Sequence, residues 1–158
     1  MSKHAQQLTF DLPAMDSTET RRQVEEYLET MFIYRQVGFI RREAATTANC
    51  EPRYHGNTYT VSKSAEDVAL YNVSKEEELE RKAQLLDKAL YRLTKTEREL
   101  IERRYLRERE VYDYNVCDDM HLGERKYRRV KARAMYILAY ALRLEVLIDP
   151  VEEKVSAS

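Results

Sequence analysis

Seven basic residues and no acidic residue lie between Arg125 and Arg143 of this 158-residue chain. Six of the seven fall in the short stretch from Arg125 to Arg133. The chain carries 27 Lys and Arg against 28 Asp and Glu, so the run is a local excess of positive charge in a nearly neutral protein. Guanidinium and ammonium groups bind phosphate oxygens, and the planar fork of arginine can pair with guanine through two hydrogen bonds. The run therefore favours binding to a polyanion such as DNA.

Apolar residues recur inside the basic run at helical spacing, which predicts one long helix with a buried face and a cationic face. The expected buried stripe comprises Tyr127, Val130, Ala134, Ile137 and Ala141. Three arginines point most directly away from it and would read or line the major groove of DNA: Arg125, Arg128 and Arg129. Three further cations lie on the flanks, where they would hold the phosphate backbone: Lys126, Lys131 and Arg133.

The residues before the basic helix indicate a helix-turn-helix, in which the second helix enters the major groove. A first helix is expected over Val111 to Met120, then a turn over His121, Leu122 and Gly123, with Gly123 as the N-cap of the basic helix. A basic run can also be an ordinary solvated face. This run, however, lacks the interleaved acids found from Lys75 to Arg109, and it follows directly on a turn.

Composition predicts an all-α fold, because the chain has only three Gly and three Pro and is rich in helix-forming residues. The first helix should begin near Ser17, with the Ser17 hydroxyl as its cap, and bury Val24, Tyr27, Leu28, Met31 and Tyr34. Three capping-box patterns, at Ser64, Ser74 and Thr94, predict further helix starts. The central helix has a regular stripe at Leu79, Ala83, Leu86, Leu90 and Leu93, and after Thr94 the residues Leu100, Ile101 and Tyr105 should face inward.

These patterns divide the chain into five stretches. We expect a loose N-terminus (1–15), an N-terminal helix and loop (16–63), a central helix (64–93), a helix-turn-helix domain with a long final helix (94–148), and a loose acidic tail (149–158). The segment 44–62 is rich in turn formers and is a linker or a surface loop, with a short extended piece at 58–61.

Little in the sequence favours catalysis or metal binding. Cys117 and His121 stand four residues apart, but a structural zinc site needs four ligands, and a thiol beside a turn histidine explains the pair. Nucleotide-binding and hydrolase motifs are lacking. We therefore expect no enzyme activity, no cofactor and no metal. The sequence has no long apolar run and no signal-peptide pattern, which predicts a cytoplasmic protein that does not contact a membrane, with Cys50 and Cys117 as free thiols.

Two blocks of the sequence resemble a known family. LTKTERELIERRYL (Leu93 to Leu106) and VYDYNVCDDMHLGERKYRRVKARAMYILAYAL (Val111 to Leu142) are similar to region 4 of sigma-70-type factors and, more closely, to the ArpU family of phage transcriptional regulators. GERKYRRVKARA meets that family's recognition-helix pattern, and the resemblance extends to DLPAMDSTETRRQVEEYLE and to the charged helix after Ser64. Two positions depart from it: His121 stands where these proteins usually carry Gly, and Gly123 where Ser is usual.

The resemblance implies a sigma region 4-like helix-turn-helix and a phage or prophage regulator that activates late or packaging-region genes in a bacterial host. The residues alone imply DNA binding. Two alternatives remain open: a DNA-packaging component of the small-terminase type, and a sigma-like module that binds RNA polymerase without touching DNA. The expected partner is double-stranded DNA, with bacterial RNA polymerase and a second copy of the chain as further candidates.

Overall fold

The structure, a computed structural model, describes residues 15–43 and 63–148. They form α1 (Ser17–Val37), α2 (Lys63–Arg92), α3 (Lys95–Ile101), a π-helical turn (Glu102–Leu106), α4 (Asp113–Asp119) and α5 (Glu124–Leu142). Of the described residues 77% are helical, and none of them forms a strand beyond one isolated bridge. The predicted all-α fold is confirmed. The two predicted loose ends, the loop 44–62 with its extended piece, and Cys50 lie outside the described residues.

Helix α1 begins where the sequence predicts, but its cap is a different residue. Asp16, and not Ser17, accepts hydrogen bonds from the backbone N–H groups of Thr18 and Glu19, at 2.9 and 3.0 Å. The buried face is as predicted: Val24, Leu28 and Met31 are fully buried, and Tyr27 and Tyr34 pack at its edges. The helix ends at Val37, and Gly38 leaves it with a φ of 74° that favours glycine.

Helix α2 runs unbroken from Lys63 to Arg92, so the prediction of a helix start at Ser74 was wrong. Ser74 is exposed in the middle of the helix, and no Gly or Pro precedes it that would have ended the preceding turn. A capping residue begins a helix only where the chain before it is not already helical. The predicted stripe is confirmed, with Leu86, Leu90 and Leu93 buried and Leu79 and Ala83 packed against the core.

The capping box at Thr94 is confirmed. The backbone N–H of Thr94 and its hydroxyl both donate to Glu97 Oε2, at 2.9 and 2.8 Å, and the Glu97 N–H donates back to the hydroxyl. Leu100 and Ile101 are fully buried, as predicted, and Tyr105 is partly buried. The helix then widens into the π turn, which the sequence did not indicate.

A short helix, a turn and a long helix follow in the predicted order. Helix α4 starts at Asp113, two residues later than expected, and buries Val116. Gly123 is the N-cap of α5, in an extended conformation. The expectation that the final helix continues towards Ile148 was wrong: α5 ends at Leu142, where Arg143 adopts the left-handed conformation with a φ of 57°.

One core joins all five helices. Helix α5 lies against α1, α2 and α3, and its Leu138 and Ala139 are fully buried. After α5 the chain turns back along the start of α1, where Met15 bridges Leu147 and the Asp16 N–H donates to the Val146 carbonyl at 2.9 Å. The N-terminal helix is therefore part of the same packed unit as α3, α4 and α5.

Candidate nucleic-acid interface

The carboxylate of Asp113, the first residue of α4, joins three elements of the fold. Lys131 of α5 donates to both of its oxygens, at 2.7 and 2.9 Å. Arg104 of the π turn donates to it at 2.7 Å, and the Tyr127 hydroxyl of α5 at 3.1 Å. These bonds fix the direction in which α5 leaves the turn, because they hold its first two turns against α4 and the π turn.

The pKa values of Asp113 and Tyr127 are shifted in the directions that keep this hydrogen-bond network intact. Partial burial acts to raise the pKa of Asp113, but the hydrogen bonds from Lys131 and Arg104 outweigh it and hold the pKa below its usual range. Burial also lowers the pKa of Lys131, against the opposing pull of Asp113. Burial, together with the neighbouring Asp113 charge, raises the pKa of Tyr127, so this hydroxyl stays protonated and donates.

The buried face of α5 differs from the predicted one. Its buried residues are Tyr127, Lys131, Ala134, Met135, Leu138 and Ala139, whereas Val130 and Ile137 are half-buried and Ala141 is exposed. The inward face is therefore rotated about the helix axis by roughly 80°. A second stripe, Tyr127, Lys131, Ala134 and Leu138, is spaced as regularly as the predicted one, but it contains a lysine. That spacing was the signal available in the sequence.

The rotation removes Lys131 from the predicted contacts with the DNA backbone. Its side chain is only 7% exposed, and its ammonium group is bound by Asp113. A lysine in this position cannot reach a phosphate unless the packing of α4 against α5 opens. Asp113 could not be recognised from the sequence as the partner of Lys131, because it lies 18 positions away and no local pattern links the two.

Three cations on the outward face of α5 are exposed: Arg125, Lys126 and Arg129. None of them forms an ion pair with any residue in the described ranges 15–43 and 63–148. Arg129 lies closest to the centre of this face after the rotation. These side chains are available to an external anion without first breaking a contact to the protein.

Arg128 and Arg133 are exposed but paired. Arg128 contacts Glu124 one turn earlier, and both side chains are about three-quarters exposed. The Arg133 guanidinium lies 3.3 Å from Glu97, the buried acid of the Thr94 capping box. A surface pair such as Arg128–Glu124 exchanges easily for another anion. Glu97 is held by Thr94, so it remains beside Arg133 whatever Arg133 binds.

The turn between α4 and α5 carries the two positions that depart from the family pattern. His121 is exposed and left-handed, with a φ of 51°, a conformation that glycine adopts without cost. The Cys117 thiol donates to the Leu122 carbonyl at 2.8 Å and so helps to close the turn. Across the described part of the chain, no three His, Cys, Asp or Glu side chains converge as a metal site would require. Nor is any helix there long and apolar enough to cross a membrane.

The chain is similar to an uncharacterized phage-related protein of Listeria innocua serovar 6a. The two are 27% identical over 139 residues, which cover 87% of this chain and 96% of the relative. The likeness therefore spans both the N-terminal helix and the α4–α5 region. No family model matches the chain, and no solved structure matches it.

Proposed function

We propose that this chain is a DNA-binding regulator of phage or prophage transcription, in which α4, the turn and α5 act as a helix-turn-helix. The observation that carries the proposal is the outward face of α5. Arg125, Lys126 and Arg129 are exposed there and make no ion pair with described residues. Helix α5 would enter the major groove by its N-terminal turns. Arg125 and Arg129 would pair with base edges, and Lys126 would bind phosphate.

The packing beneath that face supports the proposal. A recognition helix must be held in a fixed direction, since a bidentate base contact tolerates little misplacement. The Asp113 network provides this rigidity, because it binds Lys131 and Tyr127 of α5 from α4. Ala132, small and exposed, leaves room for the close approach of DNA.

The phage assignment is supported by the phage-related relative, which covers most of the chain. The resemblance to the ArpU family extends it to transcription, with activation of late or packaging-region genes as the specific role. On this proposal the protein works in the bacterial cytoplasm by binding alone, without a catalytic step or cofactor. Double-stranded DNA is its first partner, and RNA polymerase and a second copy of the chain are further ones.

The test is an electrophoretic mobility shift with the purified chain. Its specific duplex is first enriched from a random-sequence pool by the wild-type protein. Arg125→Ala or Arg129→Ala should weaken binding to this duplex by about 1–3 kcal/mol and change binding to random DNA little, because a bidentate base contact is lost. Arg81→Ala, an exposed arginine of α2, is the control and should bind as wild type does.

Three results would contradict the proposal or its account of base reading. Wild-type protein that enriches no duplex and shifts no DNA leaves the sigma-like module that binds only RNA polymerase as the better explanation. A stable ring of many copies in light scattering favours the packaging component. If the protein binds DNA but both arginine variants bind as wild type does, base reading by α5 is wrong.

A further inference from the structure

A cleft of about 630 Å³ separates the first turns of α1 from the middle of α5. Ser17, Thr18 and Arg21 line it from α1, and Arg128, Ala132 and Tyr136 line it from α5. From the sequence, α1 is expected to lie in a separate N-terminal stretch with no part in DNA binding. The packing of α1 against α5 brings its first turns beside the cationic helix.

Most of the exposed side chains that line the cleft are of types that bind phosphate oxygens. Proteins contact the DNA backbone mainly through arginine and lysine and through the hydroxyls of serine, threonine and tyrosine. Arg21 and Arg128 supply two guanidinium groups, one from each helix. Ser17, Thr18 and Tyr136 carry hydroxyls and are exposed.

The acidic residue that lines the cleft, Asp113, does not cancel the positive charge of Arg21 and Arg128. Asp113 is also a lining residue, but Lys131 and Arg104 already bind its carboxylate. Arg21 lies 3.3 Å from Glu25 in a pair whose side chains are 53% and 39% exposed. Such a pair contributes little and can give way to a phosphate.

The cleft opens beside the outward face of α5. Along the helix, Arg128 and Ala132 adjoin Arg129, and the rotation of α5 turns Arg128 towards α1 and away from the centre of that face. We propose that the cleft holds the DNA phosphate backbone beside the groove that α5 enters, with Arg21 of α1 and Arg128 of α5 on either side of the strand. The inference rests on the proposed DNA binding and adds the N-terminal helix to the interface.

Arg21 has a matched control in its neighbour Arg22. The two are 53% and 54% exposed, and each contacts glutamates of α1. Arg22 pairs with Glu19 and Glu26 and is not part of the cleft. Removing either arginine takes away one positive charge from the same helix, so Arg22→Ala measures the effect of lost charge outside the cleft.

The experiment measures the affinity of the full chain for the enriched duplex and for random-sequence DNA over a range of salt concentrations. Arg21→Ala should weaken both by about fivefold near 0.15 M salt and lower the slope of log K against log salt by about 0.9, since one fewer counterion is released. Arg21→Lys should restore the slope. Arg22→Ala should leave both affinities and the slope as in wild type, and thermal melting of each variant confirms that it is folded.

The outcomes distinguish a failure of the cleft contact from a failure of the proposed DNA binding. If Arg125→Ala and Arg129→Ala lose specific binding while Arg21→Ala matches wild type, the cleft is not a backbone contact and α5 still reads DNA. If Arg21→Ala and Arg22→Ala weaken binding equally, the effect is one of overall charge, and the inference fails. If the wild-type protein binds neither duplex, both proposals fall.

Discussion

Lys131 ties α5 to α4 from the interior, and its removal should therefore affect stability and not the counterions released by DNA. Lys131→Ala removes the ammonium group that binds the Asp113 carboxylate and leaves a space beside that carboxylate. We expect the free energy of unfolding to fall by about 1–3 kcal/mol, measured by chemical denaturation. In salt titrations of DNA binding, the folded variant should keep the wild-type slope, because Lys131 reaches no phosphate.

Lys126→Ala is the matched control for Lys131→Ala, since Lys126 is exposed on the same helix. Lys126→Ala should leave the unfolding free energy unchanged and lower the slope of log K against log salt by about one. A lower slope for Lys131→Ala at wild-type stability would contradict the interior assignment. The charges of α5 could be read from the sequence, but its two equally regular stripes did not decide whether Lys131 lies inward. A lysine is buried only when a partner compensates it, and that partner comes from a distant helix.

The turn between α4 and α5 is strained at one residue. His121 adopts a left-handed conformation with a φ of 51°, which costs an L residue about 1 kcal/mol. Since its side chain is exposed, His121→Gly should remove this cost at little loss of packing. We expect the unfolding free energy to rise by about 0.5–1 kcal/mol, less than the full strain because glycine also frees the unfolded chain. Thermal melting monitored by circular dichroism measures the change.

Asp118→Gly is the control for His121→Gly, because it places a glycine near the turn at a residue with ordinary helical backbone angles. Asp118 is exposed in α4, where glycine should lower the unfolding free energy by about 0.5–1 kcal/mol. Equal effects from the two substitutions would mean that His121 is not strained.

A helix end could be predicted from the sequence only where several neighbouring residues together excluded a longer helix. At Thr94 the hydroxyl, Glu97 and the buried Leu93 agree on one boundary, and the capping box forms there. The pattern at Ser74 is just as good locally, but no Gly or Pro precedes it to end the previous turn, and the helix continues. The π turn after Ile101 depends on the packing of Tyr105 and Leu106 beneath α1, which a local pattern does not contain.

The whole described chain shares one core, so it should unfold as one unit. Val24 and Leu28 of α1 and Leu86 of α2 are fully buried in the same cluster as Leu138 of α5. The predicted helix-turn-helix stretch 94–148, expressed alone, would expose the surfaces that α1 and α2 cover. We expect this fragment to lack a cooperative thermal transition in circular dichroism, and the full chain to show a single transition.

A point variant of the full chain serves as the control for this truncation. Leu28→Ala should lower the midpoint of the single transition without splitting it, since the cavity weakens a core that all helices share. A fragment 94–148 that melts cooperatively on its own would instead make α3, α4 and α5 an independent domain. Two separate transitions in the full chain would lead to the same conclusion.

The acidic residues beside the cations of α5 have a consequence for the DNA binding that we propose. Asp113 binds Lys131, Glu97 lies beside Arg133 and Glu124 pairs with Arg128, so three of the seven positive charges from Arg125 to Arg143 already have an acidic partner. The affinity of a protein for random DNA comes almost entirely from the release of counterions, and a genome contains a vast excess of random sites. If the chain binds DNA as proposed, these acidic partners lower its affinity for random sites. Its preference for a specific site over random DNA would then come mainly from the arginines that contact bases, and fewer molecules would be held at random sites.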